Sequence, residues 1–116
     1  MDPNAIAQQF IGAYVGFLTT GNVAGLTSLY GEDSVCIYDG TVARGQAQIA
    51  ATFINPRLPG GVKARVSGFS AQGTATNHLL VTLDGEYDKP PGHFHQAILL
   101  SPTASGGMYI RADIAR

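Results

Sequence analysis

The spacing of the apolar residues changes part-way along this chain, and that change limits the folds it can adopt. Between Asp2 and Gly21 apolar residues recur every three or four positions, which predicts an amphipathic helix with Asp2 as its N-cap. From Val62 onward they alternate with polar residues, which is typical of half-buried strands. Helices first and antiparallel strands afterwards indicate an α+β fold, with a curved sheet folded around the helices.

Punctuating residues divide the rest of the chain into shorter elements. Asn22 can cap a second helix that Gly31 ends, and a third helix is expected from Gly45 to Phe53. Asp39-Gly40 is the turn between the first two strands. The strands are expected at residues 35–38, 41–42, 62–68, 77–87, 93–100 and 108–114.

Length and composition limit the functions that are open to the chain. With 116 residues, it is expected to form one domain, residues 1–116. Charged residues make up only 13% and hydrophobic residues 45%, so we expect some apolar surface to be covered by a partner or to line a cavity. A net charge of -1 provides no basic field for phosphate backbones, which argues against nucleic-acid binding.

Cys36 is the only cysteine, so no disulfide can form within the chain, and a reducing compartment fits best. We interpret it as a small apolar filler, since no Lys, Arg or His lies close in sequence to lower its pKa. No stretch reaches the ~18 apolar residues that a membrane span needs, and we expect a soluble, intracellular protein.

Four short patterns connect the chain to a known family. They are Ala7-Gln8-Gln9-Phe10 with Tyr14, Leu29-Tyr30, Gly45 with Ile49, and Phe94-His95-Gln96. In order and spacing they resemble the nuclear transport factor 2 family over nearly the whole chain. The resemblance implies a cone-like fold, in which three N-terminal helices pack in a strongly curved, mostly antiparallel sheet.

The same resemblance implies a homodimer that forms through the outer face of the sheet. The implied interface residues are Phe94, His95, Gln96 and Ile98. The alternative reading of the Phe94-His95-Gln96 triplet is a strand that happens to begin with a histidine.

Family members are carriers that bind the GDP form of the Ran GTPase and the Phe-Gly repeats of nucleoporins, and import Ran into the nucleus. An apolar cavity accepts an aromatic side chain from the switch region of Ran, and rim carboxylates pair with basic residues of Ran. The resemblance assigns the Ran-binding role to Asp39, Glu86 and Asp88, with Lys89 where the family tends to carry another acid. It implies no enzymatic activity, no cofactor, and a location in the cytoplasm, the nucleus and the nuclear envelope at pores.

Tyr38 matches an exposed aromatic, usually tryptophan, that helps bind Phe-Gly repeats at the dimer edge. A tyrosine ring can serve there, because it supplies flat apolar area while its hydroxyl stays hydrated. The other reading of Tyr38 is an ordinary aromatic on a sheet surface.

Two further functions remain open at the level of sequence. One is a small subunit that partners a messenger-RNA export receptor. The other is a cavity enzyme of the ketosteroid isomerase or dehydratase type, in which Tyr14 would hold the oxyanion and Asp39 would be the general base. For the third acid of such a site the chain offers His95 or Gln96 instead of an aspartate.

A metal site is not expected. His93 and His95 share a sheet face, but His78 is the only other histidine and lies far away in sequence. Ala115 stands where family members usually carry phenylalanine. We expect that the missing aromatic ring opens or reshapes part of the cavity.

Overall fold

The computed structural model describes residues 2–88 and 91–116. The helices are α1 (Pro3–Thr20), α2 (Val23–Thr27) and α3 (Gln46–Ile49), and α3 continues as a π-helical turn over Ala50–Ile54. The strands are β1 (Tyr30–Tyr38), β2 (Thr41–Arg44), β3 (Ala64–Gly73), β4 (Leu79–Asp88), β5 (Pro91–Pro102) and β6 (Met108–Ala115). The predicted α+β class, with helices packed against a curved and mostly antiparallel sheet, is confirmed.

The first helix begins and ends where the sequence predicts. The Asp2 carboxylate accepts hydrogen bonds from the backbone N–H groups of Asn4 and Ala5, at 3.1 and 3.3 Å. Gly21 ends the helix with a φ of 68°, in the left-handed region. A side chain at this position would be strained by the positive φ. It would also clash, because a Cβ atom on Gly21 would lie 2.7 Å from the backbone nitrogen of Gly61.

The six strands form one sheet in the order β2-β1-β6-β5-β4-β3. All neighbouring strands are antiparallel except β1 and β6, which are parallel. Strand β6 therefore lies between β1 and β5, and Asp113 of β6 has Cys36 and Ile98 as its register partners. This arrangement places Asp113 near the middle of the sheet.

Two details of the predicted elements are wrong. Helix α2 ends at Thr27, and Tyr30 is the first residue of β1 rather than the last of a helix. Tyr30 belongs to the strand because it pairs with Ile110 and the Ser34 hydroxyl bonds the Ile110 carbonyl, both contacts from far away in sequence. In β3, a bulge between Val66 and Gly68 breaks the expected alternation of inward and outward residues.

The interior lies between the concave face of the sheet and the helices. The largest fully buried side chains of the described residues are Ile49, Leu79, Val81, Leu83, Phe94, Ile98, Leu100 and Ile110, with Ser34 among them. Among the described residues, no helix combines the length and the apolar character that crossing a membrane requires.

The side chains of β5 alternate between the interior and the outer face of the sheet. Those of Phe94, Gln96 and Ile98 are buried inside the protomer, whereas His95 is exposed. The prediction that all four contact a partner subunit is therefore corrected for the three buried residues, because their side chains fill the core and the cavity of their own chain. The homodimer itself remains a prediction.

Candidate functional site

The concave side of the sheet encloses an open cavity of about 470 Å³. Its lining is mostly apolar and aromatic, and consists of Tyr14, Leu18, Leu26, Tyr30, Cys36, Tyr38, Phe53, Ile54, Arg57, Leu58, Val62, Tyr87, Gln96, Asp113 and Ala115. Arg57 is exposed and Tyr38 and Phe53 are half-buried, so these residues mark the mouth. The predicted cavity is present, and Ala115 lies in its wall where a phenylalanine would occupy space.

A polar cluster lies among the buried residues of this cavity. The Tyr30 hydroxyl donates to Asp113 Oδ2 at 2.9 Å. Gln96 Nε2 donates to Asp113 Oδ1 at 3.1 Å and also lies 3.1 Å from the Tyr14 hydroxyl oxygen. Four residues from α1, β1, β5 and β6 thus form one connected network around a single carboxyl group.

Burial determines the protonation behaviour of this cluster. Loss of solvation raises the pKa of Asp113 from 3.8 to about 6, although the hydrogen bonds from Tyr30 and Gln96 oppose the increase. Burial, with the nearby Asp113 charge, also raises the pKa values of Tyr14 and Tyr30 well above 10. At neutral pH both phenols therefore remain hydrogen-bond donors, and Asp113 is mostly ionised.

Two other groups in the cavity wall are less available for chemistry. Burial raises the pKa of the Cys36 thiol to about 12, so a reactive thiolate is absent near neutral pH. Burial likewise raises the pKa of Tyr87 to about 12. Cys36 is buried in the sheet, in keeping with its interpretation as an apolar filler.

The mouth of the cavity combines a cation with aromatic rings. The Arg57 guanidinium carbon lies 4.4 Å from the centroid of the Tyr38 ring, within the range of a cation–π contact. The Tyr38 and Phe53 ring centroids are 6.1 Å apart. Tyr38 thus belongs to the cavity wall, where Arg57 covers part of its ring, and not to the outer face of the sheet.

The three predicted Ran-binding carboxylates do not line the cavity. Asp39 is exposed in the turn between β1 and β2, with a φ of 48°, and borders a separate shallow depression beside Ile114. Glu86 forms a salt bridge with Arg65 at 2.6 Å, and Asp88 is exposed at the end of β4. Lys89 lies outside the described residues.

This placement also separates the two residues of the enzyme alternative. Tyr14 lies inside the cavity, but Asp39 is not among its lining residues, so the structure does not bring this pair together. The carboxyl group that Tyr14 approaches, through Gln96, is Asp113.

The histidines lie away from the cavity. His93 and His95 are both exposed on the outer face of the sheet, and His95 Nδ1 pairs with Asp84. His78 Nδ1 contacts the Thr76 hydroxyl at 2.9 Å. Within residues 2–88 and 91–116, no group of three potential ligands is placed to hold a metal ion.

Sequence reasoning missed three functional candidates: Asp113, Tyr30 and Arg57. A carboxylate between the apolar residues Ala112 and Ile114 of a predicted strand was the available signal for Asp113. No sequence signal pointed to Arg57, because its position over Tyr38 depends on how the segment after α3 folds back on the sheet.

Comparison with known proteins fits this architecture. Residues 6–116 match the family model described as the nuclear transport factor 2 (NTF2) domain. The chain therefore belongs to the NTF2 domain family. A search of curated proteins finds no significant match.

Solved structures show how widely the fold is used. Nuclear transport factor 2 from Cryptosporidium parvum is 29% identical with a TM-score of 0.82, over 97% of this chain and 92% of its own. ActVI-ORFA from Streptomyces coelicolor is 15% identical with a TM-score of 0.79, over 97% of this chain and 95% of its own. A candidate ketosteroid isomerase from Shewanella frigidimarina is 14% identical with a TM-score of 0.82, over 96% and 94%. The last two share the fold alone.

Proposed function

We propose that this protein is a nuclear transport carrier that binds Ran-GDP and imports it into the nucleus. The observation that carries the proposal is the open, aromatic-lined cavity of about 470 Å³ in a chain 29% identical to a nuclear transport factor 2. Such a carrier works in the cytoplasm and the nucleus and passes through pores at the nuclear envelope.

The cavity is suited to an aromatic side chain of a protein partner. Its inner walls carry Leu18, Leu26 and Leu58, and its mouth carries the Tyr38 and Phe53 rings. An aromatic side chain that enters such a pocket is typical of the few residues that supply most of the binding energy at an interface.

The three carboxylates that the resemblance assigns to Ran binding contribute unequally to this proposal. Among the described residues, neither Asp39 nor Asp88 makes a salt bridge, so both can pair with basic residues of Ran. Glu86 is already paired with Arg65, and its contribution is expected to be smaller. The ring of Tyr38 is the proposed contact for Phe-Gly repeats, and reaching it requires Arg57 to swing away.

Calorimetry with Ran loaded with GDP or GTP tests the proposal. We expect binding of the GDP form alone, and no binding when alanine replaces the aromatic residue in the switch region of Ran. Asp39→Asn should weaken binding about tenfold, which corresponds to ~1.4 kcal/mol. Glu86→Gln is the matched control and should change affinity about twofold or less, because Arg65 neutralises that carboxylate.

If neither form of Ran binds, the carrier proposal fails. Capture of an export receptor instead would support the heterodimer alternative. Isomerisation of a ketosteroid would support the enzyme alternative, with Asp113 rather than Asp39 as the acid inside the cavity.

A further inference from the structure

We propose that the cavity is also a binding site for a small molecule, namely a flat, largely apolar carboxylic acid with a neutral hydroxyl group at its opposite end. The hydroxyl lies at Tyr14 and Gln96, the ring system fills the apolar middle, and the carboxylate meets Arg57 at the mouth. The proposal does not require that Ran binds, although a ligand in the cavity would compete with an entering aromatic side chain.

The buried end of the cavity holds an unused donor and an unused acceptor. The Tyr14 oxygen accepts a hydrogen bond from Gln96, which leaves its proton without an acceptor among the described residues. Gln96 Nε2 is fully engaged with Asp113 and Tyr14, but Gln96 Oε1 has no donor among those residues. Both side chains are only 8% exposed and line the cavity, so water or a ligand must satisfy them.

A neutral hydroxyl group satisfies both atoms at once. It can accept from the Tyr14 hydroxyl and donate to Gln96 Oε1, whereas a carbonyl oxygen can only accept. An anionic group is disfavoured at this end because the ionised Asp113 carboxylate lies next to Gln96. The anionic end of a ligand must therefore face outward.

The mouth supplies the complementary cation. Arg57 makes no salt bridge within the described part of the chain, and its guanidinium group lies against the Tyr38 ring. A guanidinium group held in this way presents its N–H donors to a carboxylate in two-pronged geometry. Between the two ends the walls are apolar, and the volume of about 470 Å³ lies within the range of small-molecule pockets.

Three fluorescent probes test the site on the purified full chain without any partner protein. They are a hydroxynaphthoate with its two groups at opposite ends, a naphthoate without the hydroxyl, and a naphthol without the carboxylate. We expect the hydroxynaphthoate to bind with a Kd below about 1 mM and at least fivefold more tightly than either of the others. High salt should weaken binding of the two probes that carry a carboxylate and leave binding of the naphthol unchanged.

Variants locate the two ends of the ligand. Arg57→Gln should weaken binding of the hydroxynaphthoate about fivefold and binding of the naphthol by less than twofold. Arg44→Gln is the matched control. Tyr14→Phe should remove the preference for a hydroxyl group, with Tyr109→Phe as the control at a half-buried tyrosine outside the cavity. Ala115→Phe keeps every hydrogen bond and fills part of the cavity, so it should weaken all three probes.

The proposal is overturned if no probe binds at about 1 mM, or if all three bind equally in the wild type. It is also overturned if Ala115→Phe folds, as shown by circular dichroism, and binds each probe like the wild type. Ran is absent from these titrations, so a failure of the probes to bind would not count against the carrier proposal. Equally, a failure of Ran to bind would not count against the small-molecule site.

Discussion

The Tyr30 hydroxyl donates a 2.9 Å hydrogen bond to Asp113, a residue 83 positions later in the chain. The contact joins β1 and β6, which are parallel neighbours in the sheet. Tyr30 and Gln96 together donate hydrogen bonds to both carboxylate oxygens of Asp113. A buried carboxylate is tolerated only with such partners, since an unpaired charge in a protein interior costs several kcal/mol.

The elevated pKa of Asp113 predicts a loss of stability as the pH increases. Its folded-state pKa of about 6 lies above the value of 3.8 expected for the unfolded chain. Between these values the unfolded chain releases its proton first, so an increase in pH favours unfolding. Well above pH 6 both states are ionised and the cost remains constant, at about 2 to 3 kcal/mol.

Chemical unfolding of the wild type and of Asp113→Asn from pH 4 to pH 7 measures this cost. The difference in free energy of unfolding between them should shift against the wild type by that amount as the pH increases. Asp33→Asn removes an exposed carboxylate and should show no comparable shift. Parallel pH profiles for the wild type and Asp113→Asn would contradict the elevated pKa.

Gly85 is predicted to be irreplaceable because its position leaves room for the Phe94 ring. A Cβ atom on Gly85 would lie 2.5 Å from the Arg65 carbonyl oxygen and closer still to that ring. Phe94 cannot move away easily, since it is buried and packs on Tyr87 with ring centroids 4.7 Å apart. Gly85→Ala should therefore lower the free energy of unfolding by about 2 kcal/mol or more.

The matched control is Gly68→Ala in β3, where an added Cβ atom would meet nothing within 4 Å. Its stability should stay within about 0.5 kcal/mol of the wild type. Equal stability losses in the two variants, measured by urea unfolding, would show that a general backbone effect is at work and not the Phe94 contact.

The limits of sequence reasoning for this chain are visible in single residues. Helix α1 was predictable to its ends, because Asp2 and Gly21 act through local backbone chemistry. The sequence could not predict which residues of β5 face the interior. Ala97-Ile98-Leu99-Leu100 is apolar at every position, so alternation cannot identify the buried face. The pairing of Tyr30 with Asp113 depends on β1 lying beside β6, a contact that no local pattern encodes.

Cys36 is predicted to be unreactive in the folded protein. Burial raises the pKa of its thiol to about 12, so only a minute fraction is thiolate at pH 8. Labelling with a thiol-specific disulfide reagent should be at least about a hundredfold slower in the native protein than in urea. Fast labelling of the native state would mean that the thiol is accessible through the cavity, whose wall it shares.

The last prediction concerns the outer face of the sheet. Ile114 is 54% exposed, pairs with Ala97 on β5, and has Ile37 as its neighbour on β1. Leu80 on β4 is also exposed, so apolar side chains cover this face across several strands. An apolar face of this kind favours contact with a second copy, and two-fold self-contact is the commonest solution.

Light scattering of the wild type should therefore report about twice the 12.1 kDa of one chain. Ile114→Arg places a charge in the interface from each subunit, and should weaken dimerisation at least about a hundredfold and give monomers at micromolar concentration. Ala104→Arg adds the same charge in the exposed loop between β5 and β6, and it should leave the dimer intact. The cavity opens on the concave side, so Ile114→Arg should still bind the hydroxynaphthoate with wild-type affinity, which shows that the variant is folded. A wild-type chain that remains monomeric at micromolar concentration would refute the interface.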